Sequence, residues 1–201
     1  KSVQFMDDMG WKTIRIDSGT TPVLPDGMSY EAAKDIIKES FVHCAGKAAE
    51  YGIEVVWEFE PGFMINEPKN IVETAKDVNA KNFSILFDTC HGHMSAVEGA
   101  RHIEEGCKLK GGVVEFCEMA KGRIGFVHVI DSDGTLHDDE TSTHAPFGEG
   151  ILNFDELVPE LNRSGIPHDW WTIDLCFWPN AWVVTEQCKK SIDKLNAKYG
   201  N

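Results

Sequence analysis

The sequence lacks any apolar stretch near the ~20 residues of a membrane-spanning helix, and its start has no basic and apolar regions like those of a signal peptide. Its six cysteines form no CxxC pair and have no dense spacing. Several of them lie within apolar patterns, which is typical of reduced thiols rather than of a disulfide framework. We therefore expect no membrane partner and a cytoplasmic location.

Positive charge is scarce as well. The chain has 19 lysine and arginine residues against 33 acidic residues, which gives a formal net charge of -14. No cluster of lysine and arginine offers a local basic patch. A charge excess of this sign opposes docking onto nucleic-acid phosphates, so we expect no nucleic-acid partner.

Two nucleotide-binding signatures are also missing. No GxGxxG follows the first predicted strand and no GxxxxGKS/T occurs anywhere, which disfavours the nucleotide-binding α/β proteins. The sequence is 42% hydrophobic over its 201 residues, without an internal repeat, a low-complexity tract or a linker. We predict a single domain over residues 1–201.

The pattern that is present alternates apolar runs with helical periodicity. Strands are predicted at residues 12–17, 53–58, 83–88, 124–130 and 170–175. Helices are predicted at residues 29–51, 67–78, 113–121 and 185–199, with another that is capped by Asn153 or Asp155 and runs to Asn162. Residues 131–150 read as a long polar loop, which in a compact domain is usually functional. Strict alternation of strand and helix indicates a parallel α/β sheet.

A (β/α)₈ TIM barrel is the architecture that this alternation favours. Five strands cannot close such a barrel, which typically needs about 250 residues. The chain opens at Lys1 without a methionine, in a segment that reads as the end of a helix. We therefore predict that the chain covers about the last five βα units and that three βα units lie upstream.

Four of the apolar runs end on a residue of a metal-ligand type, namely Glu58, Asp88, His128 and Asp174. The C-terminal ends of parallel strands lie together on one face, so these side chains are expected to be neighbours. A single polar ending means only that the chain returns to water, but four together favour a site for one divalent cation. Carboxylates with one imidazole suit Mn²⁺ first, with Mg²⁺, Co²⁺ and Zn²⁺ as alternatives.

Glu60 is a second choice for the carboxylate of its strand. It has the same strand parity as Glu58, so either side chain could point toward the site. Glu58 is preferred because it follows the apolar run directly, whereas Pro61 and Gly62 after Glu60 already indicate a turn.

The segments WEFEPG, LFDTCH, GFVHVIDSDG, APFGEGILNFD and WWTIDL resemble the xylose isomerase-like TIM-barrel superfamily, in particular its sugar phosphate isomerase/epimerase branch. The likeness runs from about residue 10 to residue 175. The resemblance implies that Glu58, Asp88, His128 and Asp174 bind one divalent metal ion. The family has Glu where this chain has Asp174, shorter by one methylene, so direct ligation there is either lost or made through water.

The function implied by the resemblance is a metal-dependent sugar isomerase or epimerase. Proton abstraction next to a carbonyl would lead to a cis-enediolate, with Glu58 and Asp174 as the acid/base pair and His91 on the sugar oxygens. Two alternatives stay open. One is a lyase acting on an inosose or a 3-keto glycoside, and the other is a non-catalytic sugar-binding subunit, suggested by the shorter Asp174. The family also often forms homo-oligomers.

Four further residues are candidates for sugar binding. His144 lies near the GEG turn, and Trp178 follows a predicted strand end where it could pack against a sugar. Asp131 either binds hydroxyl groups or belongs to a plain DSDG turn. Arg15 either binds the substrate or forms a structural ion pair. His137 is predicted to be solvated.

Overall fold

Four parallel strands form the central sheet of the computed structural model, which describes residues 1–200. In spatial order they are β1 (Thr13–Ile16), β2 (Glu54–Glu58), β3 (Phe83–Asp88) and β4 (Ile124–His128). The register places Glu58 beside Leu86, and Asp88 beside His128. Because all four strands run the same way, their C-terminal ends meet at one edge, and the polar strand ends lie there.

Helices connect the strands and cover one face of the sheet. They are α1 (Ser2–Asp8), α2 (Tyr30–Ala49), α3 (Pro68–Val78), α4 (Thr89–His93), α5 (Gly112–Met119), α6 (Phe154–Arg163) and α7 (Ala181–Tyr199). Helix α4 continues into a π-helical turn, Met94–Glu98. The predicted start of α2 is confirmed, because the Ser29 hydroxyl accepts a hydrogen bond from the Ala32 N–H at 3.2 Å.

Large aromatic side chains fill the interface between the sheet and the helices. Trp57, Phe59, Phe87 and Phe116 are completely buried. The rings of the three phenylalanines lie 5.1 to 5.8 Å apart between centroids. Burying one such side chain contributes about 1.5 to 3 kcal/mol. Since side chains alternate along a strand, anchoring Trp57 and Phe59 in this core directs Glu58 to the opposite face.

A smaller apolar cluster occupies that opposite face. It consists of Val56, Leu86 and Phe126, each buried and each two positions before a polar strand end. Side chains two positions apart share a face of a strand. The cluster therefore forms a floor beneath Glu58, Asp88 and the His128 ring.

The prediction of a fifth strand at residues 170–175 is wrong. This segment makes an isolated parallel bridge between Thr172 and His128. Two backbone hydrogen bonds form this bridge. The Val129 N–H donates to the Thr172 carbonyl at 2.8 Å, and the Thr172 N–H donates to the Val127 carbonyl at 3.0 Å. A strand needs a run of such bonds, and within residues 1–200 this segment has a neighbour on one side only.

The predicted long loop after β4 contains a β-hairpin. Strand β5 (Asp131–His137) pairs antiparallel with β6 (Thr141–Ala145). Asp138 and Asp139 take left-handed backbone conformations, with φ of 50° and 57°, and reverse the chain between the strands. The prediction that this segment is irregular is therefore wrong, and the hairpin lies over the strand ends.

The six cysteines are all free thiols, as predicted. Among residues 1–200, no helix combines the length and the apolar character needed to cross a bilayer.

Candidate metal centre

Three polar strand ends and Asp174 converge on one point. Glu58, Asp88, His128 and Asp174 each offer a ligand atom, and these atoms all lie within 4.8 Å of one another. The His128 Nδ1 atom lies 2.8 Å from Glu58 Oε1 and 3.2 Å from Asp174 Oδ2. Glu58 and Asp88 are buried, and the other two side chains are half-buried. The structure thus brings together the four residues that the sequence selected.

Three of the ligand atoms in this cluster have no hydrogen-bond partner. Glu58 Oε1, Asp88 Oδ2 and His128 Nδ1 are all buried, and their close contacts lack hydrogen-bond geometry. A buried polar atom without a partner costs about 1 to 3 kcal/mol. Oxygen and nitrogen donors that face a common point suit a hard or borderline divalent cation. The residues present therefore fit a divalent metal ion.

The charges within the cluster also favour a cation. Burial raises the pKa of Asp88 to about 6, although the imidazoles of His144 and His128 oppose this shift. Burial lowers the pKa of His128, but the carboxylates of Asp174 and Glu58 outweigh burial and raise it to about 10. Three carboxylates thus surround the His128 ring, and a divalent ion between them would replace the proton that they favour on that ring.

The shorter side chain of Asp174 still reaches the cluster. The bridge between Thr172 and His128 holds this segment against β4. Asp174 Oδ1 accepts a hydrogen bond from the Cys176 N–H at 3.0 Å, which fixes the carboxylate, and Oδ2 faces the His128 ring. The Asp174 carboxylate therefore lies within the converging group despite its shorter side chain.

Arg15 and Glu60 lie beside the cluster. Arg15 forms ion pairs with Glu58 and, at 3.1 Å, with Glu60. Glu60 also accepts a hydrogen bond from the Thr141 hydroxyl at 2.8 Å, and burial raises its pKa. Because its oxygens are engaged in this way and are not among the converging atoms, the geometry agrees with the choice of Glu58 over Glu60.

Two buried histidines complete the floor of the site. The rings of His91 and His144 lie 4.8 Å apart between centroids. The backbone N–H of His91 donates to Asp88 Oδ1 at 2.8 Å, as helix α4 begins there. His144 lies between two carboxylates, 3.8 Å from Asp88 and 3.6 Å from Asp174, and neither ring nitrogen has a hydrogen-bond partner. Both rings are therefore placed to face a ligand.

Strand β6 supplies residues that the sequence reasoning missed. Thr141 bonds Glu60, and the Ser142 hydroxyl lies 2.8 Å from His91 Nδ1. His144, on the same strand, was predicted. The one signal for the strand is its pair of β-branched residues, Thr141 and Thr143, at alternate positions.

Replacing Ser142 with alanine tests this placement of His91. Burial and the neighbouring His144 lower the pKa of His91 well below its usual range, so the ring is neutral and needs a partner to fix its tautomer. We expect shifted His91 ring ¹⁵N resonances and a loss of about 1 to 3 kcal/mol in the free energy of unfolding. The control is Ser40→Ala, which removes an exposed hydroxyl on α2. Unchanged His91 resonances would contradict the assignment.

Asp131 is not at the candidate site, which corrects its prediction as a sugar ligand. The side chain is buried, and its carboxylate accepts hydrogen bonds from four backbone N–H groups. These belong to Ser132, Gly148, Gly150 and Leu152, at 2.9 to 3.3 Å. With its oxygens saturated in this way, Asp131 joins the start of the hairpin to the GEG turn.

A polar cavity of about 280 Å³ opens above the cluster. Among the predicted residues it is lined by Arg15, Glu58, Glu60, His91, His128, His144 and Asp174. Trp178 lines an adjoining cavity instead. His137 also lines that second cavity, where its ring stacks on Phe177 at 4.6 Å, so the prediction that His137 is merely solvated is wrong.

Comparison with known proteins agrees with this architecture. The family model described as xylose isomerase-like TIM barrel matches residues 1–192. An uncharacterized protein of Methanocaldococcus jannaschii is 31% identical over 122 residues, which are 59% of this chain and 36% of that protein. The chain thus spans little more than a third of that relative's length.

Two solved structures share the fold. The IolI protein with a bound zinc atom has a TM-score of 0.75 at 20% identity, over 98% of this chain and 67% of that one. A D-tagatose 3-epimerase-like protein has a TM-score of 0.70 at 23% identity, over 98% of this chain and 68% of that one. The predicted α/β barrel class is confirmed, and the chain belongs to the xylose isomerase-like TIM barrel family.

Proposed function

We propose that this chain carries the metal-binding half of a sugar isomerase or epimerase active site, within a single domain. The observation that supports this most directly is the convergence of Glu58, Asp88, His128 and Asp174 within 4.8 Å, in which the first three residues each contribute a buried atom without a hydrogen-bond partner. The polar cavity beside them has room for a small polyhydroxylated molecule, at about 280 Å³.

The relatives support the same class of reaction. One structural neighbour is named as D-tagatose 3-epimerase-like, and another holds a zinc atom. We propose a divalent cation for this chain too, Mn²⁺ first, with Mg²⁺, Co²⁺ and Zn²⁺ as alternatives, since the donor set mixes hard oxygens with one imidazole. Its substrate would be a sugar or a sugar derivative.

The reaction that suits these side chains is proton transfer next to a carbonyl. A bound cation would supply Lewis acidity, which makes the neighbouring C–H more acidic. Glu58 would remove that proton and Asp174 would return one, so that the substrate passes through an enediolate. The ion pair with Arg15 holds the Glu58 carboxylate in place.

The buried histidines would bind the substrate's oxygens. His91 has its Nδ1 atom engaged by Ser142, so its other ring nitrogen is free for a hydroxyl group or a carbonyl. His144 has both nitrogens without partners and lines the same cavity. These contacts would fix which carbon faces the carboxylates, and so which proton is exchanged.

Calorimetric titration with MnCl₂, MgCl₂ and ZnCl₂ tests the metal, and proton NMR in D₂O with a panel of ketoses tests the chemistry. We expect one cation per chain and, in its presence, loss of the signal of the proton next to the carbonyl. Absence of cation binding, with the four side chains intact, would refute the proposal.

A lyase acting on a keto glycoside is the second candidate, favoured by the apolar cavity that adjoins the polar one. Removal of the same proton would then be followed by expulsion of the β substituent rather than by reprotonation. The NMR assay separates the two, because elimination yields a free leaving group without deuterium in recovered substrate. Sugar binding without exchange or elimination would indicate a non-catalytic subunit.

A further inference from the structure

A second cavity of about 340 Å³ adjoins the polar cavity of the candidate centre. Phe177, Trp178, Pro179 and the ring of His137 form much of its wall. The two cavities share Phe177, Cys176 and His144, so they lie side by side with common walls. One ligand can therefore occupy both at once.

Phe177 has a conformation that core packing does not account for. Its side chain is 62% exposed, and its backbone is left-handed, with φ of 62°. Residues other than glycine adopt this region at an energetic cost, and such outliers concentrate at ligand-binding positions. The ring lies flat on His137, with centroids 4.6 Å apart and planes 7° apart. The stack holds an aromatic face in a fixed orientation at the cavity wall.

The size and chemistry of this cavity suit a planar apolar group. An apolar cavity of about 150 Å³ is enough to hold benzene, and this one is larger, at about 340 Å³. Aromatic side chains such as Phe177 and Trp178 pack well against another ring, either offset or edge to face. A free sugar can stack one C–H face on a single aromatic ring, whereas an aryl group can contact Phe177 and Trp178 with all of its surface.

We propose that this cavity, defined by His137, Phe177, Trp178 and Pro179, is a subsite for an aryl group attached to the sugar, so that the substrate is an aryl glycoside whose sugar ring carries a keto group. The inference rests on the proposed function for the placement of the sugar in the polar cavity. It adds the chemical class of the substituent, which neither the cation cluster nor the family determines.

Calorimetric titration of the Mn²⁺-loaded protein with phenyl β-D-glucopyranoside and methyl β-D-glucopyranoside tests the subsite. We expect the phenyl compound to bind about tenfold to hundredfold more tightly, as burial of one phenyl ring predicts. Phe177→Gly should remove most of this preference. Glycine keeps the left-handed backbone without strain, so the variant should remain folded by circular dichroism.

The matched control is Phe5→Ala, which removes an exposed phenylalanine from α1 and should leave the preference intact. Equal affinity for the two glycosides, no measurable binding of the phenyl compound, or a preference that survives Phe177→Gly would each overturn the inference. The cation titration is independent of these outcomes. Cation binding without a phenyl preference would refute the subsite alone, and absence of cation binding would refute the proposed function.

Discussion

Replacing Glu58 with glutamine is expected to weaken binding of the divalent cation at least about hundredfold and to lower proton exchange by about 10² to 10⁴. Glutamine preserves the size of the side chain but removes a negative charge and an anionic oxygen from the converging cluster. Arg15 loses one of its ion-pair partners and retains Glu60. Calorimetry measures the first effect, and deuterium incorporation into a ketose measures the second.

Glu54→Gln is the matched control, because Glu54 lies on the same strand, is half exposed and is not among the converging residues. It should change neither the cation affinity nor the exchange rate. If Glu58→Gln binds the cation as tightly as the unaltered protein does, Glu58 is not a ligand. If affinity falls but exchange persists, the base lies elsewhere, and Glu60 becomes the next residue to test.

The second large effect concerns stability. Asp131→Ala should lower the free energy of unfolding by about 3 to 5 kcal/mol, because four backbone N–H groups, one of them buried and three partly buried, lose a charged acceptor at once. The affected groups lie in the hairpin and in the GEG turn, so the change acts on two segments together. Equilibrium unfolding in urea measures the difference.

Asp133→Ala provides the comparison within the same hairpin. Asp133 is exposed and bonds only the backbone N–H and the hydroxyl of Thr135, so its loss should cost about 0.5 kcal/mol. Similar losses for the two variants would show that Asp131 does not fasten the turn to the hairpin. A fall in cation affinity in Asp131→Ala that exceeds its loss of folded protein would instead place Asp131 nearer the site.

The cluster could be predicted from the sequence because its cause is local. Three of the apolar runs specify strands, the residue at the end of each run marks the strand end, and parallel pairing brings these ends together. The choice between Glu58 and Glu60 followed from the same pattern and agrees with the geometry. Once β2, β3 and β4 were recognised, little else was needed to place Glu58, Asp88 and His128.

The remaining contacts depend on geometry that spacing does not encode. The DSDG segment suits an ordinary turn. Nothing in it indicates that the Asp131 carboxylate accepts a hydrogen bond from the N–H of Leu152, 21 positions further along the chain. The hairpin after β4 cannot be predicted from hydrophobic periodicity, because its residues are polar on both faces and the usual alternation of apolar and polar residues is absent. The local sequence places His137 in solvent because its partner, Phe177, lies 40 positions further along the chain in an uncommon backbone conformation.

The hairpin also has a consequence for the order of events during folding. It can form from neighbouring residues alone, and isolated hairpins close within about 1 to 10 μs. Its bonds to the site span far more of the chain, 81 positions from Thr141 to Glu60 and 51 from Ser142 to His91. Contacts of such large sequence separation carry a loop-closure entropy that local contacts do not, and they form late. The hairpin should therefore form before its bonds to Glu60 and His91 do, and the wall that it adds to the candidate site should be completed late in folding.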